Sequence, residues 1–190
     1  MNADEIQGIV SESVALKQRF FAASAEQLLS LGARLAERLL DGGRLLAFGN
    51  GGSAADAQHF VSELVGRLAR ERPALSAIAL STDPSVLTAV GNDMGFEVIF
   101  RRQVEAHGRP GDVALAISTS GRSPNVVEGV RAARERGLLS IGLTGNGGGT
   151  LAGLVDELVD VPHADTQRIQ EVHSMVLHVL AQIVEEAAVR

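Results

Sequence analysis

The chain has 190 residues, of which 45% are hydrophobic and 21% are charged, as is usual for one folded domain with a sizeable core. Its net charge of −6 argues against a basic nucleic-acid-binding surface, and the absence of cysteine excludes thiol nucleophiles, disulfides and thiolate metal sites. Lys17 is the only lysine, which argues against Schiff-base chemistry and a phosphate-loop lysine. No long apolar run or cationic leader is present, so we expect a cytoplasmic protein.

The N-terminal segment, residues 1–41, has the pattern of helices. Apolar residues recur at helical spacing through residues 6–20. Ser24 and Gln27 match a capping box at the start of a second helix, which would end at Gly42. We therefore expect two N-terminal helices before the main fold.

Strand and helix patterns alternate through residues 42–164. Strands are predicted at 44–48, 76–80, 112–117, 138–143 and within 154–161, with helices beginning near 53, 84, 96 and 124. A last helix is predicted at 165–188. This alternation predicts an α/β fold with a doubly wound parallel sheet, covered by helices on both faces as a three-layer sandwich. We expect one domain: N-terminal helices at 1–41, an α/β core at 42–164 and a C-terminal helix at 165–190.

Two polar turns follow predicted strands, where ligands bind in open α/β sheets. The first contains Asn50, Gly51, Gly52 and Ser53. The second, at residues 118–123, precedes a helix and carries four hydroxyls, those of Ser118, Thr119, Ser120 and Ser123. A phosphate there would accept hydrogen bonds from hydroxyls and from the N–H groups of the helix N-terminus. A serine-rich helix cap is the alternative interpretation. Neither turn has the G-x-G-x-x-G pattern of a dinucleotide site.

Polar side chains on two predicted helices could carry chemistry. His59 and Glu63 are four residues apart and share one helix face. Gln170 and His178 lie eight apart on the last helix, offset by about 80° around its axis. Taken alone, each histidine is more often a surface or core residue than a ligand. His173 is rotated by about 140° from His178, so we interpret it as structural or exposed rather than as a ligand.

Five motifs in order resemble the phosphoheptose isomerases of the sugar-isomerase (SIS) family. They are GNGGSAADAQHF at 49–60, Arg72-Pro73, GND at 91–93, STSGRS at 118–123 and RIQEVH at 168–173. The matching blocks run from about residue 44 to 185, and a similar helical N-terminus precedes them.

The resemblance implies a flavodoxin-like SIS fold and an aldose–ketose isomerase acting on sedoheptulose 7-phosphate through a cis-enediol. This reaction begins the synthesis of bacterial heptose for lipopolysaccharide or other glycoconjugates. The resemblance also implies a homotetramer with active sites between subunits, and one zinc ion per subunit. Since a glutamine amide is a weak zinc ligand, we expect zinc occupancy to vary.

The resemblance also implies roles for individual residues. The metal ligands would be His59, Glu63, Gln170 and His178. Of these, Glu63 and His178 would also move protons. We assign Glu63 as the base at carbon and His178 as its acid–base partner, with the reverse order as the alternative. The substrate contacts would be Asn50, Gly51, Gly52, Ser53, Glu63, Asn92, Asp93, Ser118, Thr119, Ser120, Ser123 and Gln170. Asn92 and Asp93 would lie in a loop after the helix that begins at Pro84, and Arg67 and Asp165 are further candidate contacts.

Three alternatives remain at this point. One branch of the family is a non-catalytic tetrameric adaptor that binds the replication initiator protein, and the presence of both Glu63 and His178 favours the enzyme. A sugar-phosphate sensor would need an additional DNA-binding region. An isomerase of another phosphosugar is the third alternative.

The last helix bears on oligomerisation. Its apolar residues cover more than one face, which predicts a contact between subunits, with burial inside one subunit as the alternative. These residues are Val172, Met175, Val176, Val179, Leu180 and Ile183.

Overall fold

A computed structural model describes residues 1–189 and contains a five-stranded parallel sheet between two layers of helices. The helices are α1 (Ala3–Leu40), α2 (Gly52–Val65), α3 (Pro84–Met94), α4 (Ile99–His107), α5 (Pro124–Glu135) and α6 (Thr166–Ala188). The strands are β1 (Leu45–Gly49), β2 (Ala77–Ala79), β3 (Val113–Ile117), β4 (Leu139–Gly145) and β5 (Glu157–Val161). Short 3₁₀ turns lie at Phe96–Val98 and Leu151–Gly153.

The strand order is β2-β1-β3-β4-β5, and all neighbours are parallel. Leu45 of β1 pairs with Ala77 on one side and with Val113 on the other. The chain therefore changes direction across the sheet between β1 and β3. At such a switch point the connections after the two strands diverge and leave a crevice at their carboxyl ends. The predicted doubly wound, flavodoxin-like sheet is confirmed.

Alternate residues of the central strands point into two separate apolar cores. Leu45 and Ala47 join the core formed with α1, α2 and α6. Leu46 and Phe48 join the core under α4 and α5. The first core positions α2 and α6 side by side, which matters for the site below. Helices α1 and α6 also approach closely, because a Cβ added at Gly32 would lie 2.8 Å from the Ile183 side chain.

The N-terminal segment forms one helix, so the prediction of two helices is wrong. The cap is Asn2, whose side chain accepts from the Glu5 N–H while Glu5 accepts from the Asn2 N–H. Ser24 lies inside α1, despite its apparent capping box. The segment around it is rich in alanine, the strongest helix former, and no glycine or proline separates the two halves.

The other boundaries differ from prediction by a few residues, with one difference that affects the site. Asn92 and Asp93 lie in the last turn of α3, because the helix continues through Gly91 to Met94 and ends only at Gly95. The expected loop position for this pair is therefore wrong. Asp83 caps α3 by accepting from the N–H groups of Ser85 and Val86, as its position before Pro84 indicates. No helix within residues 1–189 is both long and apolar enough to cross a membrane.

Candidate active site

The turns after β1 and β3 meet in the crevice at the switch point. Together with the start of α6 they enclose a cavity of about 310 Å³. Its lining includes Asn50, Gly51, Gly52, Ser53, Ile117, Ser118, Thr119, Ser123, Thr166 and Gln170. The structure thus brings together eight of the predicted substrate-binding residues, and it adds Thr166, which the sequence reasoning missed.

The chemistry of this cavity suits an anion. The Ser118 and Ser123 hydroxyls lie 3.1 Å apart at its wall, and Ser118 is buried. The N-terminal ends of α2 and α5 both border the cavity, so their unpaired N–H groups and dipoles favour negative charge there. Hydroxyls and helix N-termini in this arrangement can hold a phosphate without a lysine. We name this cavity the anion pocket.

Ser120 does not line the anion pocket. Its hydroxyl accepts from the Arg122 N–H at 3.2 Å. The side chain lies in a smaller adjoining cavity of about 130 Å³, which Thr119, Arg122 and Asn146 also line. Thr119 and Thr166 border both cavities. Ser120 therefore stands on the far side of the turn from Ser118 and Ser123.

A second glycine-rich segment, residues 145–149, braces the anion-binding turn. Gly121 has a φ of 61°, and a Cβ at this position would overlap the backbone carbonyl of Gly148. The Gly121 carbonyl accepts from the Leu151 N–H at 3.1 Å. Only glycine permits this backbone-to-backbone contact, so the 145–149 segment helps to fix the turn at 118–123.

An amide pair joins the two turns of the anion pocket. Asn50 Nδ2 donates to Asn125 Oδ1 at 2.9 Å, and Asn125 Nδ2 donates back to Asn50 Oδ1 at 2.8 Å. Asn125 is 2% exposed, and sequence reasoning missed it. The available signal was an amide side chain directly after Pro124, in the first turn of a helix whose other face is apolar.

Helices α2 and α6 bring three polar side chains together about two turns further along both helices than this pocket. His59 Nε2 lies 2.9 Å from His178 Nε2 and 3.5 Å from Glu63 Oε1. One donor atom from each of the three residues lies within 4.8 Å of the donor atoms of the other two. Glu63 is the most buried of the three, and both histidines are exposed within this subunit. The structure thus brings His178 of α6 against the His59–Glu63 pair of α2, while Gln170, the other predicted member of the α6 pair, lines the anion pocket.

This donor set has the dimensions of a small divalent-cation site. Ligands at 2.0–2.1 Å from a tetrahedral ion would be separated by about 3.3 Å, close to the 2.9 Å and 3.5 Å separations of these donors. Two imidazoles and a carboxylate also suit zinc chemically. Gln170, the fourth predicted ligand, lines the anion pocket, where a Cβ added at Gly52 would lie 2.6 Å from its Nε2. Its amide therefore lies against the first residue of α2.

Asp56 is a further acidic group near this cluster that the sequence reasoning missed. It lies on α2 one turn before His59. Burial raises the pKa of Asp56, and the nearby His59 and His178 oppose that rise. The sequence feature that could have identified Asp56 is its position in the same predicted helix as His59.

The remaining candidates lie outside the two clusters. Asn92 and Asp93 are exposed and hydrogen-bonded to each other, with Asn92 Nδ2 donating to Asp93 Oδ1 at 2.7 Å. Arg67 pairs with the exposed Glu71 at 3.5 Å. Asp165 caps α6 by accepting from the Gln167 N–H at 2.7 Å. The predicted substrate roles of these residues stay predictions.

His173 is buried, so of the two predicted alternatives the exposed one is wrong and the structural one holds. Its Nε2 lies 2.9 Å from the Thr144 carbonyl oxygen, to which it donates. Burial lowers the pKa of His173 to about 4, although the Thr144 hydrogen bond and Asp160 act in the opposite direction. The imidazole is therefore neutral at physiological pH.

An anion pocket at the switch point of a parallel sheet, next to a carboxylate and two imidazoles, defines a phosphate-binding α/β protein equipped for acid–base chemistry. The SIS domain family matches residues 10–145 of the chain. A phosphoheptose isomerase of Aquifex aeolicus is 50% identical over 96% of this chain and 96% of its own length. Phosphoheptose isomerase 1 of Campylobacter jejuni is 51% identical over 96% of this chain and 94% of its own.

Solved structures agree with these relatives. A phosphoheptose isomerase from Neisseria gonorrhoeae superposes with a TM-score of 0.91 and 43% identity, covering 96% of this chain and 98% of its own. One from Francisella tularensis gives a TM-score of 0.94 and 36% identity, covering 98% and 100%. The chain therefore belongs to the SIS domain family and, within it, to the phosphoheptose isomerases, which are enzymes.

Proposed function

We propose that the protein converts sedoheptulose 7-phosphate into D-glycero-D-manno-heptose 7-phosphate. The observation that carries the proposal is that α2 and α6 contribute to a pocket suited to phosphate and, about two turns further along, hold Glu63, His59 and His178 together. In this proposal the anion pocket holds the 7-phosphate through Ser118, Thr119 and Ser123. The other end of the sugar then extends toward α2 and α6.

Glu63 is the proposed base at carbon. Its carboxylate takes a proton from C1 of the ketose, and the C1–H electron pair forms the C1=C2 bond of a cis-enediol as the carbonyl electrons move to O2. Glu63 then returns the same proton, or one exchanged with solvent, to C2 on the same face of the cis-enediol to give the aldose. Glu63 is suited to this step because its side chain is only 16% exposed and is fixed on a helix.

His178 is the proposed acid–base partner at oxygen. It supplies a proton to O2 and accepts one from O1, so that the carbonyl moves from C2 to C1. A carboxylate and an imidazole divide the labour in the same way in triose phosphate isomerisation. Solvent deuterium should therefore appear at C2 of the aldose, unless the proton on Glu63 is fully shielded.

The span of the site supports a long sugar phosphate. Gln170 borders the anion pocket, and His178 follows eight residues later, about 12 Å along α6. An extended chain from C1 to the phosphorus of a 7-phosphate contains eight single bonds, each advancing roughly 1.3 Å, and so reaches roughly 10 Å.

We propose that zinc binds to His59, Glu63 and His178, with Gln170 as the candidate fourth ligand. The donor spacing and the chemistry of the first three support this assignment. Bound zinc would polarise the sugar oxygens as a Lewis acid. A Glu63 carboxylate held by the ion would be a weaker base, so metal binding and proton abstraction compete for this side chain.

The decisive test incubates the purified protein with sedoheptulose 7-phosphate, with and without added zinc, and follows the aldose by NMR. Glu63→Gln should retain phosphate binding and lose a factor on the order of 10²–10⁴ in rate. Glu26→Gln, a change of an exposed glutamate on α1, is the matched control and should leave the rate unaltered. No conversion by the parent protein would favour a non-catalytic role, and conversion of another sugar phosphate alone would reassign the substrate.

We also propose a homotetramer with active sites between subunits. The buried positions of Val172, Val176 and Leu180 show that most of the apolar surface of α6 is covered inside its own subunit, so α6 does not carry this argument. Support comes instead from the first turns of α1, where Ile6 and Val10 are each 49% exposed. Light scattering of an Ile6→Asp/Val10→Asp variant should show dissociation, and a monomeric parent would contradict the tetramer.

A cytoplasmic location is part of the same proposal, because a phosphorylated sugar does not cross a bilayer unaided. Heptose for surface glycoconjugates is the corresponding end product.

A further inference from the structure

Two buried charged side chains hold the segment between α2 and β2, and the reaction outlined above assigns them no role. These are Arg72, part of the Arg72-Pro73 motif, and Glu185 near the end of α6. The Arg72 side chain is 1% exposed and that of Glu185 is 4% exposed. Charged groups are buried this deeply only where hydrogen bonds and opposite charge compensate for lost hydration.

The Glu185 carboxylate accepts hydrogen bonds from the backbone N–H groups of the segment that follows α2. Its Oε1 accepts from the Leu68 N–H at 2.9 Å, and its Oε2 accepts from the N–H groups of Ala69 and Arg70, each at 3.0 Å. Burial opposes the charge, but these N–H groups and Arg72 hold the pKa of Glu185 below its ordinary value. The carboxylate thus ties three consecutive residues to α6.

The Arg72 guanidinium holds the end of α2 itself. It donates through Nη2 to the Glu63 carbonyl at 2.6 Å and through Nη1 to the Leu64 carbonyl at 2.9 Å. Its Nε lies 3.8 Å from Glu185 Oε1. A cation at the carbonyl end of a helix is favourable, since it meets unpaired carbonyl groups and the negative end of the dipole. One of these carbonyls belongs to the residue that we assign as the base.

Glu185 and His178 lie on nearly the same stripe of α6. Seven residues separate them, which corresponds to about 20° of rotation and about 10 Å of rise. Helix α2 therefore meets α6 at two levels, through His59 and Glu63 against His178 and, beyond them, through the Arg72–Glu185 pair. Displacement of the second level would move the backbone of Glu63 relative to His178.

We propose that Arg72 and Glu185 are positioning residues that set the separation of Glu63 and His178 for proton transfer. This inference rests on the proposed isomerisation. The pair does not touch the substrate or the anion pocket, so its effect should fall on turnover rather than on phosphate binding. A displacement of about 1 Å in a catalytic group can lower a rate by a factor on the order of 10².

The test compares Glu185→Gln with Asp112→Asn. Asp112 is also a buried carboxylate that binds backbone, accepting from the Arg44 and Arg109 N–H groups, but these hydrogen-bond partners precede β1 and β3 and belong to neither α2 nor α6. Glu185→Gln should lower kcat by about 10–100-fold, while KM and the calorimetric affinity for inorganic phosphate change by less than about threefold. Asp112→Asn should lower stability and leave kcat near the parent value.

Arg72→Lys and Glu185→Asp provide the graded variants if Glu185→Gln does not fold. Glu185→Asp retains the charge and should recover part of kcat. Equal losses of kcat in Glu185→Gln and Asp112→Asn, or a parallel loss of phosphate affinity, would overturn the proposal. Crystal structures of Glu185→Gln and Asp112→Asn test the positioning role even if the parent protein does not isomerise the sugar. We expect the distance from Glu63 to His178 to change with Glu185→Gln alone, and an unchanged distance would refute the positioning role.

Discussion

Replacement of Gly121 by alanine should separate phosphate binding from folding. The residue has a φ of 61°, and its Cβ would overlap the Gly148 carbonyl. An alanine in this left-handed conformation costs roughly 1–2 kcal/mol. Relief of the overlap costs roughly 1–3 kcal/mol more. The 118–123 turn and the 145–149 segment must therefore move apart, which displaces Ser118 and Ser123 from the anion pocket.

The matched control is Gly42→Ala. Gly42 has a φ of 89° and nothing within 4 Å of an added Cβ, so it reports the conformational cost alone. Urea unfolding should show the larger loss of stability for Gly121→Ala. In Gly121→Ala the turn relieves the strain by moving, and phosphate binding must then restore the strained position. Every 1.4 kcal/mol of that strain corresponds to about a tenfold change in affinity, so inorganic phosphate should bind about tenfold more weakly in calorimetry. Parent-like phosphate affinity in Gly121→Ala, or equal effects of both variants, would refute this account of the turn.

Three further predictions concern the surrounding structure. Burial lowers the pKa of His173 to about 4, so the imidazole binds a proton more tightly in the unfolded chain than in the folded protein. The free energy of unfolding should therefore fall by roughly 3 kcal/mol between pH 6.5 and pH 4. His173→Gln should flatten that part of the urea-unfolding profile, and an unaltered slope would exclude this cause. Gly32→Ala should destabilise the α1–α6 contact by roughly 1–3 kcal/mol, and Ile183→Ala in the same chain should restore part of the loss in a double-mutant cycle. Asn125→Ala removes the partner of Asn50 and should raise KM more than it lowers kcat, whereas equal changes in the two constants would contradict a role confined to the binding turns.

The sheet and the anion pocket follow from local patterns. Runs such as residues 113–117 are apolar and short, as strands buried on both faces must be. Turns that follow such strands share one edge of a parallel sheet, so Ser53 and Ser118 could be expected near each other. The spacing of His59 and Glu63 gave their common face, and the family motifs added His178 as their partner.

Two kinds of feature were not predictable in the same way: those where one local signal competes with another, and those that depend on contacts between residues far apart in the sequence. Ser24 carries a local capping signal, but the alanine-rich chain around it continues the helix. Asn92 and Asp93 follow Gly91 and resemble a loop pair, yet α3 continues through this glycine and ends only at Gly95. The contact of Glu185 with the Arg70 N–H joins positions 115 residues apart, and no periodicity encodes it.

The division of the site between turns and helices has an evolutionary consequence. His59, Glu63 and His178 belong to neither apolar core, and the anion pocket lies on the turns after β1 and β3. A descendant could therefore lose the proton-transferring groups through two or three substitutions and still fold and retain its phosphate. Such a protein would already be a receptor for a phosphorylated sugar. The scaffold thus allows an enzyme to become a sensor without rebuilding its sheet.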